Sequence, residues 1–489
     1  MKYATSSLTF FLDEQGPPYY QQLISQIQQG VETGRLSQGD KLPSSRLLAE
    51  SLGVSRSTTT RVYDQLISEG LLISEPKRGV FVSSLLVSSP RKASSNNPRT
   101  SPIKAYPSQA MLSFDAGVDV SVFPNKEWAA SMRRSWLKPD IAVLQGGYAT
   151  GYPPLKEALV DYLYRVRGLE CAPEQVVITA GNRDSLILLQ HLFSGLSQSR
   201  RSQVSWWLES PTYPPIRKVF EQFDSPRTLE IDDHGPTLPS KQDAFNVGVM
   251  TPNNQYPLGT SMSSQRRLAW LQKLKQPEAS WWLVEDDYDN EFVYQGRNEV
   301  PFMQMAQLDD TAKERVFFVG SFSKVLFRGL RLGFIVAPMS QIDRLQKSQH
   351  TLGSSASLPI QPAVADFMLQ GNFDRHINRM RRHYRFKREK LLALLKSHLS
   401  KWFEWRKPRS GMHVLVEFKD AYCTKTREPL DQSMAKVLRK AGLKLSCLST
   451  HYSEQSAIRQ GFILGFSGTH EAAMEQCIQQ MHDWLKENV

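Results

Sequence analysis

Apolar positions in the first eighty residues recur at helical spacing and then switch to short extended runs. That pattern predicts three helices followed by a hairpin. Tyr20, Leu23, Ile24, Ile27 and Val31 share one face of a first helix, which Gly34 stops. Leu47, Leu48 and Leu52 form the inner face of a shorter second helix, Gly53 supplies the turn, and Ser55 is a good N-cap for a third helix carrying Val62 and Leu66. After Gly70, the runs Leu71-Leu72-Ile73-Ser74 and Gly79-Val80-Phe81-Val82 read as two strands around the basic tip Glu75-Pro76-Lys77-Arg78. The expected architecture is a winged helix-turn-helix over residues 1–84.

Periodicity is lost between residues 84 and 113, where Ser, Pro, Asn and basic residues leave little to bury, so 85–113 is expected to be a flexible linker. From 114 to 489, β-branched and aromatic runs alternate with helical stretches, the pattern of an α/β domain around a mostly parallel sheet. Ligands in such sheets gather at the carboxyl ends of strands. Five strand ends here carry polar chemistry. Val176 to Thr179 leads into Gly181-Asn182-Arg183-Asp184, Val204 to Leu208 into Pro211-Thr212-Tyr213, and Phe245 to Met250 into the segment Thr251 to Pro257. Trp281 to Val284 leads into Glu285-Asp286-Asp287-Tyr288, and Val316 to Val319 into Ser321-Phe322-Ser323-Lys324.

Length and charge narrow the picture. A chain of 489 residues exceeds one ordinary core, and 60 Lys+Arg against 48 Asp+Glu give a formal charge of +12, which favours a polyanionic partner without identifying one. Cys171, Cys423, Cys447 and Cys477 are scattered, with no CxxC pair, so neither a disulfide framework nor a zinc site is indicated. The first residues do not read as a signal peptide and no run approaches a membrane span, so a cytoplasmic protein, nucleoid-associated when bound to DNA, is expected.

The segment LPSSRLLAESLGVSRSTTTRVYDQLISEGLL, followed by a wing containing Arg78-Gly79, resembles the winged helix-turn-helix of the GntR family over residues 18 to 83. On that reading Ser55, Arg56, Thr58, Thr59 and Arg61 face a major groove from the outer side and first turns of the third helix. Arg46, Lys77, Arg78 and Gly79 meet the flanking backbone. Promoter double-stranded DNA is the implied partner.

The strand ends suggest a second function. Lys324 offers an amine for a Schiff base with pyridoxal phosphate, and Asp286 is a carboxylate able to keep a pyridine nitrogen protonated. Tyr288 can bond the phenolate oxygen of that cofactor and Tyr213 can lie against its ring. Gly181, Asn182, Ser321, Ser323 and Arg331 can hold its phosphate. Singly, each has an ordinary reading. Lys324 is then a surface lysine after a buried strand, and Asp286 a solvated acid or part of a metal site with Glu285, Asp287 and Asp289. Tyr213 and Tyr288 are then core aromatics. No matching histidine cluster supports metal, and joint occurrence in this order favours the cofactor.

Residues 114 to 489 resemble the fold-type I aminotransferases, including the segment Gly147 to Lys156 and the late Gly411-Met412-His413. With the N-terminal module, the whole chain resembles the MocR/GabR subfamily of GntR regulators. This resemblance implies a homodimer whose effector domain senses a small amine, an amino acid or pyridoxal phosphate itself. Three positions depart from the aminotransferase pattern. Ile463 stands where an arginine grips the substrate carboxylate, Tyr256 replaces an asparagine at the cofactor phenolate, and Arg328 replaces a proline before Gly329. These changes argue against sustained transamination more than against cofactor binding. The chemistry for a half-reaction remains, and a working aminotransferase with an appended DNA-binding domain is the alternative.

Overall fold

Three helices and a hairpin surround a small core at the N-terminal end of the chain in the computed structural model. It describes residues 10–83, 111–199, 203–222, 225–241, 243–276, 281–297, 299–353, 356–423, 428–453 and 458–489. The chain divides into two units, Met1–Pro107 and Ser108–Val489. In the first, α1 (Tyr19–Glu32), α2 (Ser45–Leu52) and α3 (Arg56–Ser68) precede β1 (Leu72–Glu75) and β2 (Gly79–Val82). Leu23, Ile27, Leu48, Val62, Leu66, Leu72 and Val82 meet in its core. Ser44 and Ser55 cap α2 and α3 by accepting from the backbone N–H of Leu47 and Thr58. Gly53 ends α2 at φ 65°, a left-handed conformation that disfavours a side chain and makes the sharp turn into α3. The antiparallel β1/β2 wing pairs Leu72 with Val82 and Glu75 with Gly79.

One expected core position differs. Leu47 is 44% exposed, while Leu48 and Ala49 are buried. An eight-residue helix presents only a narrow stripe to its neighbours, and Leu47 falls off its edge.

The second unit is built on an eight-stranded mixed sheet in the order β4-β11-β10-β9-β8-β5-β6-β7. Here β3 is Leu112–Ser113, β4 Val176–Thr179, β5 Ser205–Ser210, β6 Arg227–Asp232, β7 Gly235–Pro236, β8 Asn246–Met250, β9 Trp281–Asp287, β10 Val316–Ser321 and β11 Gly333–Val336. Strands β10, β9, β8, β5 and β6 run parallel, and β11 is antiparallel to both neighbours. The central strands are buried on both faces, which is why their sequences are continuous apolar runs and not alternations. Helices α4 (Asn125–Leu137), α5 (Ile141–Gln145), α6 (Pro153–Arg167) and α7 (Asn182–Ser199) follow in the first part of this unit.

A smaller body packs β12 (Phe403–Trp405), β13 (His413–Phe418) and β15 (Gly461–Gly465) against the helices Asn372–His398 and Glu471–Asn488. β14 (Leu443–Lys444) pairs with β3 in parallel. The last residues of the expected linker therefore form a strand of the second unit, because Leu112 finds a backbone partner in Leu443 that no local sequence pattern reveals. The rest of the linker, 85–110, lies outside the described residues. Among the described residues no helix is long and apolar enough to cross a membrane.

Candidate functional site

The outer side of α3 carries Arg56, Ser57, Thr60 and Arg61, all exposed, with Ser55 at the cap. Thr58 is partly buried and its Oγ1 lies 2.8 Å from Ser55 Oγ. Arg61 packs over the Tyr20 ring, its guanidinium 3.9 Å from the centroid, which orders the side chain and leaves it accessible. Arg46 is exposed and paired with Glu50 at 3.1 Å. At the wing tip Lys77 has φ 64° and Gly79 φ 119°, and Arg78 pairs with Glu75.

Thr59 is a correction. It is fully buried, and its hydroxyl donates to the carbonyl of Ser45 at 2.8 Å, pinning α3 to the start of α2. The spacing of Thr59, Val62, Tyr63 and Leu66 is that of an inward face, a signal present in the sequence but masked by the polar side chain. Thr60 is the exposed neighbour. Lys41, an isolated basic residue without local motif, reaches the wing and lies 5.8 Å from the Phe81 ring centroid.

The expected cofactor residues converge on one cavity of about 840 Å³ at the carboxyl ends of β4, β5, β8, β9 and β10. Its wall includes Gly181, Asn182, Tyr213, Asp286, Tyr288, Ser321, Ser323, Lys324 and Arg331. Lys324 Nζ donates to the carbonyl of Ala116 at 3.1 Å, and burial lowers the lysine's pKa. Asp286 is 3% exposed and burial raises its pKa to about 7. Asn182 and Lys324 oppose that rise, the former by donating its Nδ2 to Asp286 Oδ1 at 2.8 Å. Tyr288 accepts from Asn254 Nδ2 at 3.3 Å. The Tyr256 ring stands edge-on to Tyr213 and Tyr288, with centroids 5.3 Å and 5.9 Å away.

Arg331 sits beside Gly181, just ahead of α7. That approach needs Gly333, since a Cβ there would lie 2.9 Å from Gly181 Cα and 3.0 Å from the Gly320 carbonyl. Ser323 N–H donates to Ser321 Oγ at 3.2 Å.

Strand alternation separates the acids of β9. Asp286 lines the cavity. Glu285 accepts from the backbone of Phe302 and Met303 at 2.9 Å and 3.0 Å, and Asp287 takes a bidentate grip from Arg167, with both bonds at 2.9 Å. Asp289 accepts from Asn254 at 2.8 Å. Glu285 and Asp287 also share Asn253 Nδ2, at 3.3 Å and 3.2 Å, and among the described residues no group of histidine, cysteine and acidic side chains could hold a metal ion.

Three buried atoms in this wall have no hydrogen-bond partner, Asn182 Oδ1 and the pair Asp286 Oδ2 and Ser323 Oγ. Leaving such a group unpaired costs about 1–3 kcal/mol, so the wall favours a ligand that brings partners of its own. A protonated ring nitrogen for the carboxylate and phosphate oxygens for the hydroxyl, as pyridoxal phosphate offers, fit this pair.

Sequence reasoning did not find the opposite wall, made of residues 113–116, Lys444 to Cys447, Thr450 and Gly465, nor Arg183 on α7. Ile463 also lines the cavity and is 3% exposed. Arg459, the nearby arginine, is paired with Glu417.

Comparison with known proteins agrees with this division. Residues 19–82 match the family of bacterial regulatory proteins, gntR family, and residues 126–462 match aminotransferase class I and II. The chain is 31% identical to the uncharacterized HTH-type transcriptional regulator YdeL of Bacillus subtilis, covering 95% of this chain and 96% of that one. It is likewise 31% identical to the probable rhizopine catabolism regulatory protein MocR of Rhizobium meliloti, covering 95% and 93%. To the pyridoxine biosynthesis regulator PdxR of Corynebacterium glutamicum it is 28% identical, covering 94% and 95%. A Pyrococcus horikoshii kynurenine aminotransferase structure superimposes with a TM-score of 0.65 at 23% identity, over 78% of this chain and 91% of that one, which shows the shared fold. The chain therefore belongs to the MocR-like, GntR-type transcriptional regulators, which join a DNA-binding winged helix to an aminotransferase fold with pyridoxal phosphate as cofactor.

Proposed function

We propose that the chain acts on promoter DNA as a cytoplasmic homodimer, and that its cavity senses a small amine, an amino acid or pyridoxal phosphate itself. The observation that carries this reading is the pairing of Ile463 with Lys324 in one cavity. An apolar side chain occupies the position of the carboxylate arginine, while the lysine and Asp286 stay available. Binding is thereby kept and the grip needed for turnover is weakened. A working aminotransferase draws support from the same Lys324, Asp286 and Tyr288, but Ile463 counts against it.

Bound pyridoxal phosphate supplies a protonated ring that withdraws electrons from an attached amine. The chain's own side chains divide the work of holding it. Lys324 would provide the point of covalent attachment, with Asp286 toward the ring nitrogen, Tyr288 toward the phenolate oxygen and Tyr213 toward the ring face. Gly181, Asn182, Ser321, Ser323 and Arg331 would hold the phosphate. Arg56 and Arg61 read or clamp the groove, with Arg46, Lys77 and Arg78 on flanking phosphates.

A homodimer is supported by apolar side chains left in water on α4 and α5, where Trp136, Leu137, Ile141 and Leu144 are 45%, 72%, 69% and 55% exposed. An effector that favours one arrangement of two subunits would change how paired DNA modules are presented. The test is a footprint on the DNA upstream of the regulated gene, with and without pyridoxal phosphate and a panel of amines. Protection that changes with either ligand supports sensing. Unchanged protection, combined with sustained conversion of an amino donor and a keto acceptor, supports the enzyme.

A further inference from the structure

We propose that Arg328 is the anchor for an anionic group on the effector, so that the ligand sensed is a small amine that also carries a carboxylate or similar oxyanion. This rests on the reading of the cavity as an amine sensor and adds the chemical class of the ligand.

Arg328 lines the same cavity as Lys324 and occupies the turn Arg328–Leu330 that follows the lysine. Its guanidinium lies over the backbone of Gly117, where an added Cβ would come within 2.2 Å of Nη2. The glycine leaves room for the side chain to cross. Nη2 donates to Asp115 Oδ1, which also accepts from Gly117 N–H at 3.0 Å. The side chain is 63% exposed, so donors that Asp115 does not engage stay accessible to a ligand. A guanidinium presents a planar fork that suits two oxygens at once, and a carboxylate can take the donors Asp115 does not use.

The other cations are less suited. Arg331 stands beside Gly181 at the start of α7. Arg183 and Lys444 also line the cavity, while Arg328 lies in the turn directly after Lys324 and is a cation among the larger charges bearing on it. Arg459 is held by Glu417, and Ile463 offers no charge. An amine engaging Lys324 therefore meets Arg328 as its neighbouring cation and Asp115 as the carboxylate it must compete with.

The experiment titrates full-length, coenzyme-loaded protein with α-, β- and γ-amino acids and with alkylamines of the same carbon count, following the coenzyme absorbance. At least one amino acid should bind about two- to fivefold more tightly than its matched amine, the gain expected of an ion pair at a largely exposed guanidinium. In Arg328→Gln the ratio should fall to near unity, and Arg328→Lys should retain part of it. Asp115→Asn removes the competing charge yet keeps an acceptor for Gly117, and should hold or raise the preference. A preference that survives Arg328→Gln, or is lost equally in Asp115→Asn, overturns the assignment of Arg328. A response to amines with no carboxylate preference in the parent does the same. No response to any amine overturns the amine-sensor reading together with it and leaves pyridoxal phosphate itself as the signal.

Discussion

The two units present their functional residues in opposite electrostatic settings. In the DNA-binding unit, Arg56, Arg61, Lys77 and Arg78 stand in water, and the core beneath them is mainly aliphatic, fixed by two serine caps and by the buried hydroxyls of Thr59 and Tyr63. In the aminotransferase-like unit Asp286, Glu209, Glu285 and Asp289 are all buried, and desolvation pushes each to about 7. A reader of phosphate chains gains from charges that remain hydrated until contact. A pocket for one small cationic ring instead holds its partner desolvated in advance, at a cost to the empty fold.

The sharpest way to break this contrast is to remove the desolvated partner. Asp286→Ala should weaken coenzyme affinity by about 2–5 kcal/mol, the range for truncating one side of a buried charged pair, measured by spectroscopic titration. Operator affinity without ligand should not follow it. On the hydrated side, Arg56→Ala should cost about 1–3 kcal/mol of operator binding if it reads a base, and Arg46→Ala should mainly flatten the salt dependence. Both are measured by binding across a salt series. Thr59→Ala should lower the melting stability of the N-terminal unit by about 0.5–1.5 kcal/mol through loss of the hydroxyl bond to the Ser45 carbonyl, with DNA affinity falling only as the folded fraction falls.

The last effect concerns pH. A carboxyl whose pKa is raised on folding binds more protons in the native state than in the unfolded one, so stability falls as pH rises from its unfolded value near 4 through about 7. Coenzyme-free protein should lose stability across that window in denaturant melts. Asp286→Asn should make the loss shallower, and a steeper loss in the variant would contradict the account.

Legibility in the sequence followed the same divide. Helix faces, the Ser55 cap and the wing could be read because each is set by neighbours a few residues away. The errors at Leu47 and Thr59 concerned which side of a short helix is inward. The strand ends bearing Asn182, Tyr213, Asp286 and Lys324 could be read because fully buried strands leave continuous apolar runs that stop at polar chemistry. The facing wall could not. It depends on β3 meeting β14 across most of the chain and on Ala116 reaching Lys324, contacts made by long-range pairing with no local motif. The side-chain bond from Asn182 to Asp286 was hidden likewise, since its sequence position suggested only a helix start near phosphate.

The central claim is that the cavity holds pyridoxal phosphate on one lysine. Borohydride reduction of coenzyme-saturated protein, followed by peptide mapping, tests it most directly. The account predicts a phosphopyridoxyl adduct on Lys324 that is absent from Lys324→Ala. An adduct elsewhere, or none on coenzyme-saturated protein, would contradict it.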